Sequence, residues 1–477
     1  MISVIHDHQI CYPDDSEFFS PSQNYPEYPF SHIASRPNLV YHAVRNCLAQ
    51  AGLDKASYGK PSWNPLRYTI SEGSNVFVLC NFVYHMRPNE LLSDFFAKCT
   101  HGSVLRAVLD YVILAVGENG IVRFGNAPIQ SCDWDKVLEE TGATKVVEFY
   151  NNFTRYLVNP CDLRSYIVKR HLLGGITVVD KKGAQDDVNI DIGKDSLLED
   201  LFTSTNVPEF RSLDYDPKLT RTYHGQNKHI YVFNKNILEA DTVVGIPKLK
   251  THEKVGVTLG IKNCVGGIAH KHCLAHFRLG SPDRGGDEYE NGQLMNRLES
   301  KMEEFTNTRT HSTCSNYFRT MTFFLRKFIH YILGRNVGGG WVGNDTTWRM
   351  SMDIVRILKH SDKTGKLCGS ERRKIIGFID GIVSGEGNGP LTPTARHCGF
   401  LSYSDDLVPG DYIAACFMGL KPEDLPIIRQ AFSLSAFPLT NQAIAEIRAI
   451  VNGEVYDRRM LQSLNITPFK LPAGWGT

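Results

Sequence analysis

Residues 242–267 read TVVGIPKLKTHEKVGVTLGIKNCVGG and contain two β-branched runs, each of which is followed by lysine. Residues 242–246 predict one strand and residues 256–261 a second, because Val, Ile and Thr favour extended backbone. In an open α/β sheet, ligands bind outside the carboxyl ends of the strands. The lysines that follow these two strands are therefore expected at a ligand-binding edge.

Short apolar runs and helical periods alternate over the rest of the chain. Further strands are predicted at 76–80, 121–124, 146–149, 229–233 and 375–379. Helices are predicted from Asn38 onward and at 103–116, 134–140, 348–359 and 442–451. This alternation predicts an α/β fold with an open, largely parallel sheet and flanking helices.

Two segments stand apart from the predicted α/β core, which divides into 37–304 and 345–477. Residues 1–36 combine prolines with aromatic side chains, which predicts an extended N-terminal arm packed on the body. Residues 305–344 have no acidic side chain and predict a basic, apolar helical insertion. That helix either rests on an anionic membrane or is buried with its cations reaching water. A membrane span is not expected there.

Charge and cysteine content restrict the partners and the compartment. The 52 Lys and Arg balance 51 Asp and Glu, so no general attraction to nucleic acid is expected. The 12 cysteines form no Cys-x-x-Cys pair, which favours reduced thiols and argues against zinc ribbons and iron–sulfur binding runs. No signal-peptide pattern is present, so a cytoplasmic protein is predicted, peripheral to the inner membrane face if 305–344 binds lipid. The sequence predicts no oligomeric state.

The lysines after the quoted strands are the main candidate site. Lys248, Lys250, Lys254 and Lys262 oppose the single carboxylate of Glu253. Several ammonium groups around one cleft favour phosphate or carboxylate ligands, although a solvated turn would carry similar lysines. Other residues at strand or helix ends extend the predicted anion-binding and substrate-binding set: Asn126, Asn263, Arg349, Asn388 and Gly389.

Catalytic and metal-binding roles are predicted from residue chemistry. His101 and His252 are candidates for proton transfer near neutral pH, with capping of the following helix by Thr100 as the alternative near His101. Asp380 and Glu386 are candidate bases or ligands of a divalent ion. If residues 272–276 are helical, His272 and His276 share a face, and Asp287 is a further candidate ligand. Neither a P-loop, nor Gly-x-Gly-x-x-Gly, nor Gly-x-Ser-x-Gly is present.

The chain resembles a family of proteins called domain of unknown function 362. The central block of the resemblance is 243–267, and its flanking blocks are THGSVLRAVLDY, GNAPIQSCDWDKVLEETG, IIGFIDGIVSGEGNGPLTP and GDYIAACFMGLKPEDLP. WVGNDTTWRM and GGDEY resemble the version associated with polysaccharide and glycoconjugate pathways. The resemblance covers roughly 75–435. Many relatives carry a ferredoxin-like segment rich in cysteine; this chain departs from that pattern, so no iron–sulfur cluster is expected.

Three functions remain open at this point. The leading interpretation is an enzyme that acts on a phosphorylated or carboxylated metabolite, such as a sugar intermediate, in polysaccharide or glycoconjugate biosynthesis. A divalent metal ion is its open cofactor, and its reaction class is undetermined. The second is a non-catalytic scaffold of a glycan-assembly complex that contacts the membrane through 305–344. The third is a redox protein that lacks its iron–sulfur domain.

Overall fold

An 11-stranded sheet organises the chain. The computed structural model describes residues 1–170, 176–181, 187–204, 206–212, 215–291, 294–308, 321, 324 and 338–476. The strands are β1 (Ile2–His6), β2 (Asn75–Cys80), β3 (Ile121–Asn126), β4 (Val158–Asp162), β5 (Tyr166–Arg170), β6 (Ile176–Asp180), β7 (Asp187–Asp191), β8 (Phe210–Arg211), β9 (His224–Gly225), β10 (Lys228–Asn234), β11 (Thr242–Ile246), β12 (Lys248–His252), β13 (Gly256–Thr258), β14 (Phe277–Arg278), β15 (Lys374–Asn388), β16 (Thr392–Ser404), β17 (Arg448–Val451) and β18 (Glu454–Asp457). The α-helices are α1 (Leu39–Gln50), α2 (Leu92–Lys98), α3 (Gly102–Val116), α4 (Trp134–Glu140), α5 (Ala143–Phe153), α6 (Pro217–Tyr223), α7 (Lys235–Leu238), α8 (Gly260–Asn263), α9 (Leu294–Thr308), α10 (Thr347–His360), α11 (Leu407–Phe417), α12 (Pro426–Arg429) and α13 (Arg458–Gln462).

The large sheet runs in the order β18-β17-β1-β16-β15-β11-β2-β3-β4, with β12 and β13 branching from β15. The strands from β15 to β4 are parallel, and Thr242 of β11 lies opposite Val76 on one side and Lys374 on the other. Smaller sheets form from β7-β10-β9, β14-β8 and β5-β6. The predicted α/β class, with an open and largely parallel sheet flanked by helices, is confirmed.

Two apolar layers cover the faces of the sheet. Alternate residues of β11 enter different layers, since Val243 packs in one cluster and Val244 in the other. This alternation is the two-residue period of a strand that is buried on both faces. Helices α8, α10 and α11 pack in the first layer, and α1, α3 and α5 in the second. Because helices cover both faces of the sheet, the carboxyl ends of its parallel strands are left as the edge at which loops and side chains can form a site.

Three local predictions are wrong, and each has an identifiable cause. Residues 146–149 lie inside helix α5, where Val146, Phe149 and Tyr150 bury at helical rather than strand spacing. The predicted helix at 442–451 is instead a short 3₁₀ turn followed by β17, because pairing with β1 extends the chain. The strand predicted at 256–261 ends at Thr258, and α8 follows it.

The glycine-rich segment 385–389 belongs to strand β15 as far as Asn388. The predicted N-terminal arm likewise begins as a strand, because β1 pairs with β16 and β17. Its aromatic side chains do pack on the body, and Tyr25 and Tyr28 are buried against α1 and α3. Most of the predicted helical insertion, from 309 to 337, lies outside the described residues except Met321 and Phe324.

Among the described residues, Leu92–Val116 is the one stretch long and apolar enough to cross a membrane, with a mean hydropathy of 1.4. Within the fold, 94% of the most apolar 18-residue window of this stretch is buried. It packs as α2 and α3 in the second apolar layer.

Candidate functional site

Three segments that follow predicted strands meet at the carboxyl ends of β2, β3 and β11, although Lys248–His252 within one of them forms strand β12. The Ala127 N–H donates to the Gly266 carbonyl at 2.6 Å, which joins the end of β3 to the turn after α8. The amide of Asn81, directly after β2, donates to Asn263 Oδ1 at 3.0 Å. Lys250 of β12 donates to Asn81 Oδ1 at 2.7 Å. The segments 125–130, 247–254 and 262–267 therefore share one edge of the sheet.

Helix α8 holds Lys262 and Asn263 in place because a carboxylate fixes its first turn. The backbone N–H groups of Gly260 and Ile261 donate to the two Asp411 oxygens at 2.7 and 2.9 Å. A Cβ on Gly260 would lie 2.9 Å from Asp411 Oδ1, so only glycine allows this approach. The strand predicted at 256–261 breaks here, since the carboxylate satisfies amides that a strand would have paired.

Four buried lysines converge on this edge: Lys250, Lys254, Lys262 and Lys271. We call them the lysine cluster. Lys250 also donates to the Lys98 carbonyl at 2.6 Å. Lys254 donates to the Gly338 carbonyl and pairs with Glu253 at 3.6 Å. Lys271 donates to the Ala127 carbonyl at 2.8 Å. In the described part of the chain, Lys262 Nζ has neither a hydrogen-bond partner nor an ion-pair partner, although only 9% of the residue is exposed.

Burial and mutual repulsion lower the pKa values of three of these ammonium groups. Burial, and then the charge of Lys254, lowers the pKa of Lys262 to about 8. Burial lowers the pKa of Lys250 to about 7; Cys99 acts in the opposite direction, and the charges of Lys248, Lys98 and Lys262 lower the pKa further. Burial and then Lys262 lower the pKa of Lys271 to about 7. The described groups around these three lysines therefore disfavour their protonated forms.

Two histidines accompany the lysine cluster, and their hydrogen bonds assign different tautomers to them. His252 Nδ1 accepts from the Lys254 N–H at 3.1 Å, so the proton of the neutral ring lies on Nε2. His276 Nδ1 lies 3.2 Å from the Leu274 carbonyl and 3.3 Å from the Ser212 hydroxyl. Because a carbonyl can only accept, the tautomer with its proton on Nδ1 satisfies this contact and leaves Nε2 as the basic nitrogen. Burial, followed by Lys262 and Lys254, holds both pKa values well below 6.5. The edge thus offers one neutral donor and one neutral acceptor.

Lys248 belongs to a separate buried network with Asp380 and the N-terminal arm. Its Nζ lies 3.1 Å from Asp380 Oδ2 and donates to the Tyr12 hydroxyl at 2.8 Å. Tyr12 in turn donates to Asp380 Oδ1 at 2.6 Å and stacks on the His101 ring at 3.9 Å. Because Asp380 neutralises Lys248, this lysine is not part of the charge excess of the cluster.

His101, rather than Thr100, caps helix α3. Its ring Nδ1 accepts from the Ser103 N–H at 3.1 Å, and the backbone N–H of His101 donates to Asp380 Oδ2 at 3.2 Å. Burial, and then Lys248, lowers the pKa of His101 to about 3, so the ring is neutral at physiological pH. Thr100 instead donates to the Ile246 carbonyl at 2.7 Å. In this arrangement His101 positions a helix and a carboxylate.

The end of β15 brings Glu386 and Asn388 against the C-terminal segment rather than against the lysines. Glu386 Oε2 lies 3.2 Å from Arg396 NH1 and accepts from the Lys470 N–H at 3.2 Å. Asn388 Oδ1 accepts from the Ala473 N–H at 3.1 Å. Their oxygens are thus engaged in packing of the chain terminus.

Gly389 and Arg349 also have local partners. The Gly389 carbonyl accepts from the Glu253 N–H at 2.9 Å, beside the Lys254 turn. Arg349 pairs with Asp345 at 3.3 Å and with Asp200 at 3.1 Å, so its charge is neutralised. Asn126 lies closer to the cluster: its amide donates to the Phe82 carbonyl at 2.9 Å, and its buried Oδ1 has no partner among the described residues.

The predicted metal ligands do not come together. His272 lies in a 3₁₀ turn, Lys271–Cys273, and its Nδ1 contacts the Tyr166 hydroxyl at 3.0 Å. No helix spans 272–276, so His272 and His276 do not share a helix face.

Asp287 is held by other partners: its Oδ2 accepts from Thr346 at 2.6 Å and lies 3.4 Å from Arg278. Of the described residues, one group has three potential metal-binding carboxylates within 4.8 Å of one another: Glu288, Glu299 and Glu303. None of the predicted ligands belongs to this group, and a metal ion stays a prediction.

A surface cavity of about 380 Å³ lies elsewhere, between β1 and α1. His6, His42, Asn46 and Asn452 contribute its polar side chains, together with Asp7, Gln9 and Gln50. Its lining holds no lysine or arginine, so its charge does not favour an anion.

Sequence reasoning missed three residues at this edge: Tyr12, Asn81 and Lys271. Asn81 follows β2 directly, so its position at a strand end was a usable signal. Tyr12 comes from an arm with no local pattern that reports its contact with Lys248. Lys271 lies among three histidines, and that pattern is more typical of a metal site than of an anion site.

Comparisons with known proteins show the family of the chain and little beyond it. A crystal structure of a protein from Thermotoga maritima is similar at 9% identity and a TM-score of 0.27. The similarity covers 75% of this chain and 55% of that protein, so the chain spans about half the length of that neighbour. No curated protein matches the chain in sequence. A family model described as "Domain of unknown function (DUF362)" matches residues 163–416, more than half of the chain, which confirms the resemblance found in the sequence. The chain belongs to the DUF362 family.

Proposed function

We propose that this chain binds a small phosphorylated or carboxylated molecule at the lysine cluster and acts on it as an enzyme. The supporting observation is that Lys250, Lys262 and Lys271 are buried without a carboxylate partner among the described residues. Buried charges destabilise a protein unless counter-charges or hydrogen bonds compensate them. A phosphate or carboxylate group supplies that compensation, and Lys262 is positioned to be its first partner.

Catalysis is part of the proposal because acid–base groups accompany the charge. His276 Nε2 is a basic nitrogen and His252 Nε2–H a donor, and both rings are neutral at physiological pH. A neutral donor beside cations stabilises negative charge that develops on a substrate oxygen. The assignment to polysaccharide or glycoconjugate biosynthesis rests on the resemblance of 341–350 and 285–289 alone. A sugar phosphate would satisfy both the charge of the lysine cluster and this resemblance.

A thermal-shift series with inorganic phosphate, sugar phosphates and nucleotide sugars tests the binding. A ligand that binds only the folded state stabilises it by about 2.7 kcal/mol at 100 times its Kd. The stabilisation is expected in the unmodified protein and to be strongly reduced in Lys250→Ala and Lys262→Ala. The matched control is Lys55→Ala, because Lys55 is exposed and remote in sequence from the cluster.

Salt provides an independent criterion, since added sodium chloride screens charge and should weaken a specific anion effect. Equal shifts in the unmodified protein and in all three variants would contradict the proposal. Binding without turnover of any sugar phosphate would favour a binding protein over an enzyme.

A further inference from the structure

We infer that Lys262 forms an imine with the carbonyl group of a small aldehyde or ketone that also carries a carboxylate or phosphate. This inference rests on the proposed anion site and names its substrate class. It follows from a contrast within the lysine cluster, where Lys262 Nζ alone has no oxygen acceptor among the described residues.

The other lysines are held by acceptors that limit their reactivity. Lys250 donates to two oxygens at 2.6 and 2.7 Å. Lys254 and Lys271 each donate to a backbone carbonyl, of Gly338 and Ala127 respectively. An amine must lose a proton before its lone pair can attack a carbonyl carbon, and oxygen acceptors stabilise the protonated form and fix the direction of its N–H groups. Lys262 is free of this restriction.

The backbone that carries Lys262 is rigid, which favours a defined reaction geometry. Asp411 anchors the first turn of α8 through two hydrogen bonds, as described above. Asn263 donates to the Leu79 carbonyl at 3.0 Å and fixes the end of the same helix. The amine is therefore presented from a fixed element at the sheet edge.

Its surroundings favour the neutral amine. Lys262 is buried, and the charge of Lys254 repels a proton on it, so its pKa falls to about 8. At neutral pH the unprotonated fraction of Lys262 is therefore larger than that of an exposed lysine. Desolvation next to another cation is a known way to activate a lysine as a nucleophile. The remaining ammonium groups bind the anionic end of the substrate.

The reaction balances without an oxidant or reductant. Lys262 Nζ attacks the carbonyl carbon, so a C–N bond forms while the C=O π bond breaks. One amine proton moves to the former carbonyl oxygen and gives a carbinolamine. The second amine proton follows as the C–O bond breaks, so that water leaves and the C=N bond forms. His276 Nε2, the free basic nitrogen of the site, is the group available to carry these protons.

Reductive trapping tests the inference directly. The full-length protein is incubated with pyruvate or with dihydroxyacetone phosphate, sodium cyanoborohydride is added, and peptide mass spectrometry maps the reduced adducts. Lactate serves as the carbonyl-free control for pyruvate. We expect the adduct predominantly on Lys262, at several-fold higher occupancy than on exposed Lys55 or on Lys250. Inorganic phosphate is expected to compete and lower the occupancy.

Lys262→Arg is the matched variant, because it retains a positive charge but forms no stable imine. It is expected to lose the adduct while phosphate still raises its melting temperature. If neither carbonyl compound labels Lys262 above Lys55 in the unmodified protein, the inference is wrong whatever the variant does. Phosphate stabilisation without labelling would overturn the imine and leave the anion site standing; loss of both would overturn the two together.

Discussion

At the scale of single residues, Lys248 shows how a buried charge is compensated inside this sheet. Its ammonium group and the Asp380 carboxylate are both fully buried and lie 3.1 Å apart. The Tyr12 hydroxyl bridges them, and burial and Asp380 raise the pKa of Tyr12 well above 10. Tyr12 therefore remains a neutral donor, and the three groups form a closed network.

Removal of one charge from this pair is expected to destabilise the fold. Lys248→Met leaves Asp380 buried without its counter-charge, which costs about 3–5 kcal/mol in comparable pairs. Urea denaturation measures the change in the free energy of unfolding, and Lys55→Met at an exposed site serves as the control. A cost below about 1 kcal/mol would mean that water reaches Asp380 and that the pair is not structural.

The lowered pKa values of the buried lysines predict that the free energy of unfolding depends on pH. Between pH 7 and 10 the unfolded chain binds more protons than the folded chain, because Lys250, Lys262 and Lys271 have native pKa values of about 7 to 8. The free energy of unfolding of the empty protein should therefore rise with pH in this window. Binding of an anion should show the opposite trend, since it requires protonated amines.

Sulfate tests this trend because its charge does not change in the window. Its stabilising effect is expected to be large at pH 6.5 and small at pH 9, as measured by thermal denaturation. Lys250→Met removes one titrating group and should reduce the pH slope of the ligand-free protein. If the variant and the unmodified protein have the same slope, then Lys250 is charged throughout and our assignment is wrong.

At the scale of elements, the end of β3 depends on one glycine. Gly125 has a φ of +146°, and a Cβ there would lie 2.1 Å from the Cys161 carbonyl oxygen of β4. Two residues later, the Ala127 carbonyl accepts a hydrogen bond from Lys271 of the lysine cluster. The close approach of the β3 and β4 backbones therefore places one wall of the site.

Gly125→Ala is expected to destabilise the protein by several kcal/mol and to weaken phosphate binding, because β3 must shift away from β4. Gly369→Ala is the matched control, since nothing lies within 4 Å of its Cβ position. Thermal denaturation with and without phosphate measures both effects. Unchanged phosphate stabilisation in a folded Gly125→Ala protein would show that the wall formed by β3 is not part of the site.

Elements also show which features a local pattern can predict. The strands β2, β3, β10 and β11 follow from runs of β-branched and aromatic residues, and α1, α3, α4 and α10 follow from helical periods. The break between β13 and α8 cannot be predicted from the local sequence, because it is caused by Asp411, about 150 residues later in the chain. The pairing of Lys248 with Asp380 is similarly absent from the local sequence. The position of the lysines after predicted strands indicates the carboxyl edge of the sheet, but the local sequence does not indicate which of them has a counter-charge.

At the scale of the whole molecule, the parallel half of the sheet was predictable and the antiparallel half was not. Alternating strands and helices predict parallel neighbours, as found from β15 to β4. The other half joins β1 to β16 and β17, which lie at the opposite end of the chain. Pairing over such distances depends on tertiary contacts that no window of neighbouring residues contains.

The position of β1 has a consequence for biosynthesis. Ile2 pairs with Ser404, so a ribosome must add about 400 further residues before β1 meets its partner β16. At translation rates of 5–20 residues per second this takes roughly 20–80 s. The nascent segment Ile2–His6 exposes an apolar strand edge during that interval, which chaperones or premature association would cover. Tyr12 likewise cannot form its hydrogen bonds until Lys248 and Asp380 have been synthesised, so the polar network beside the candidate site forms late in translation.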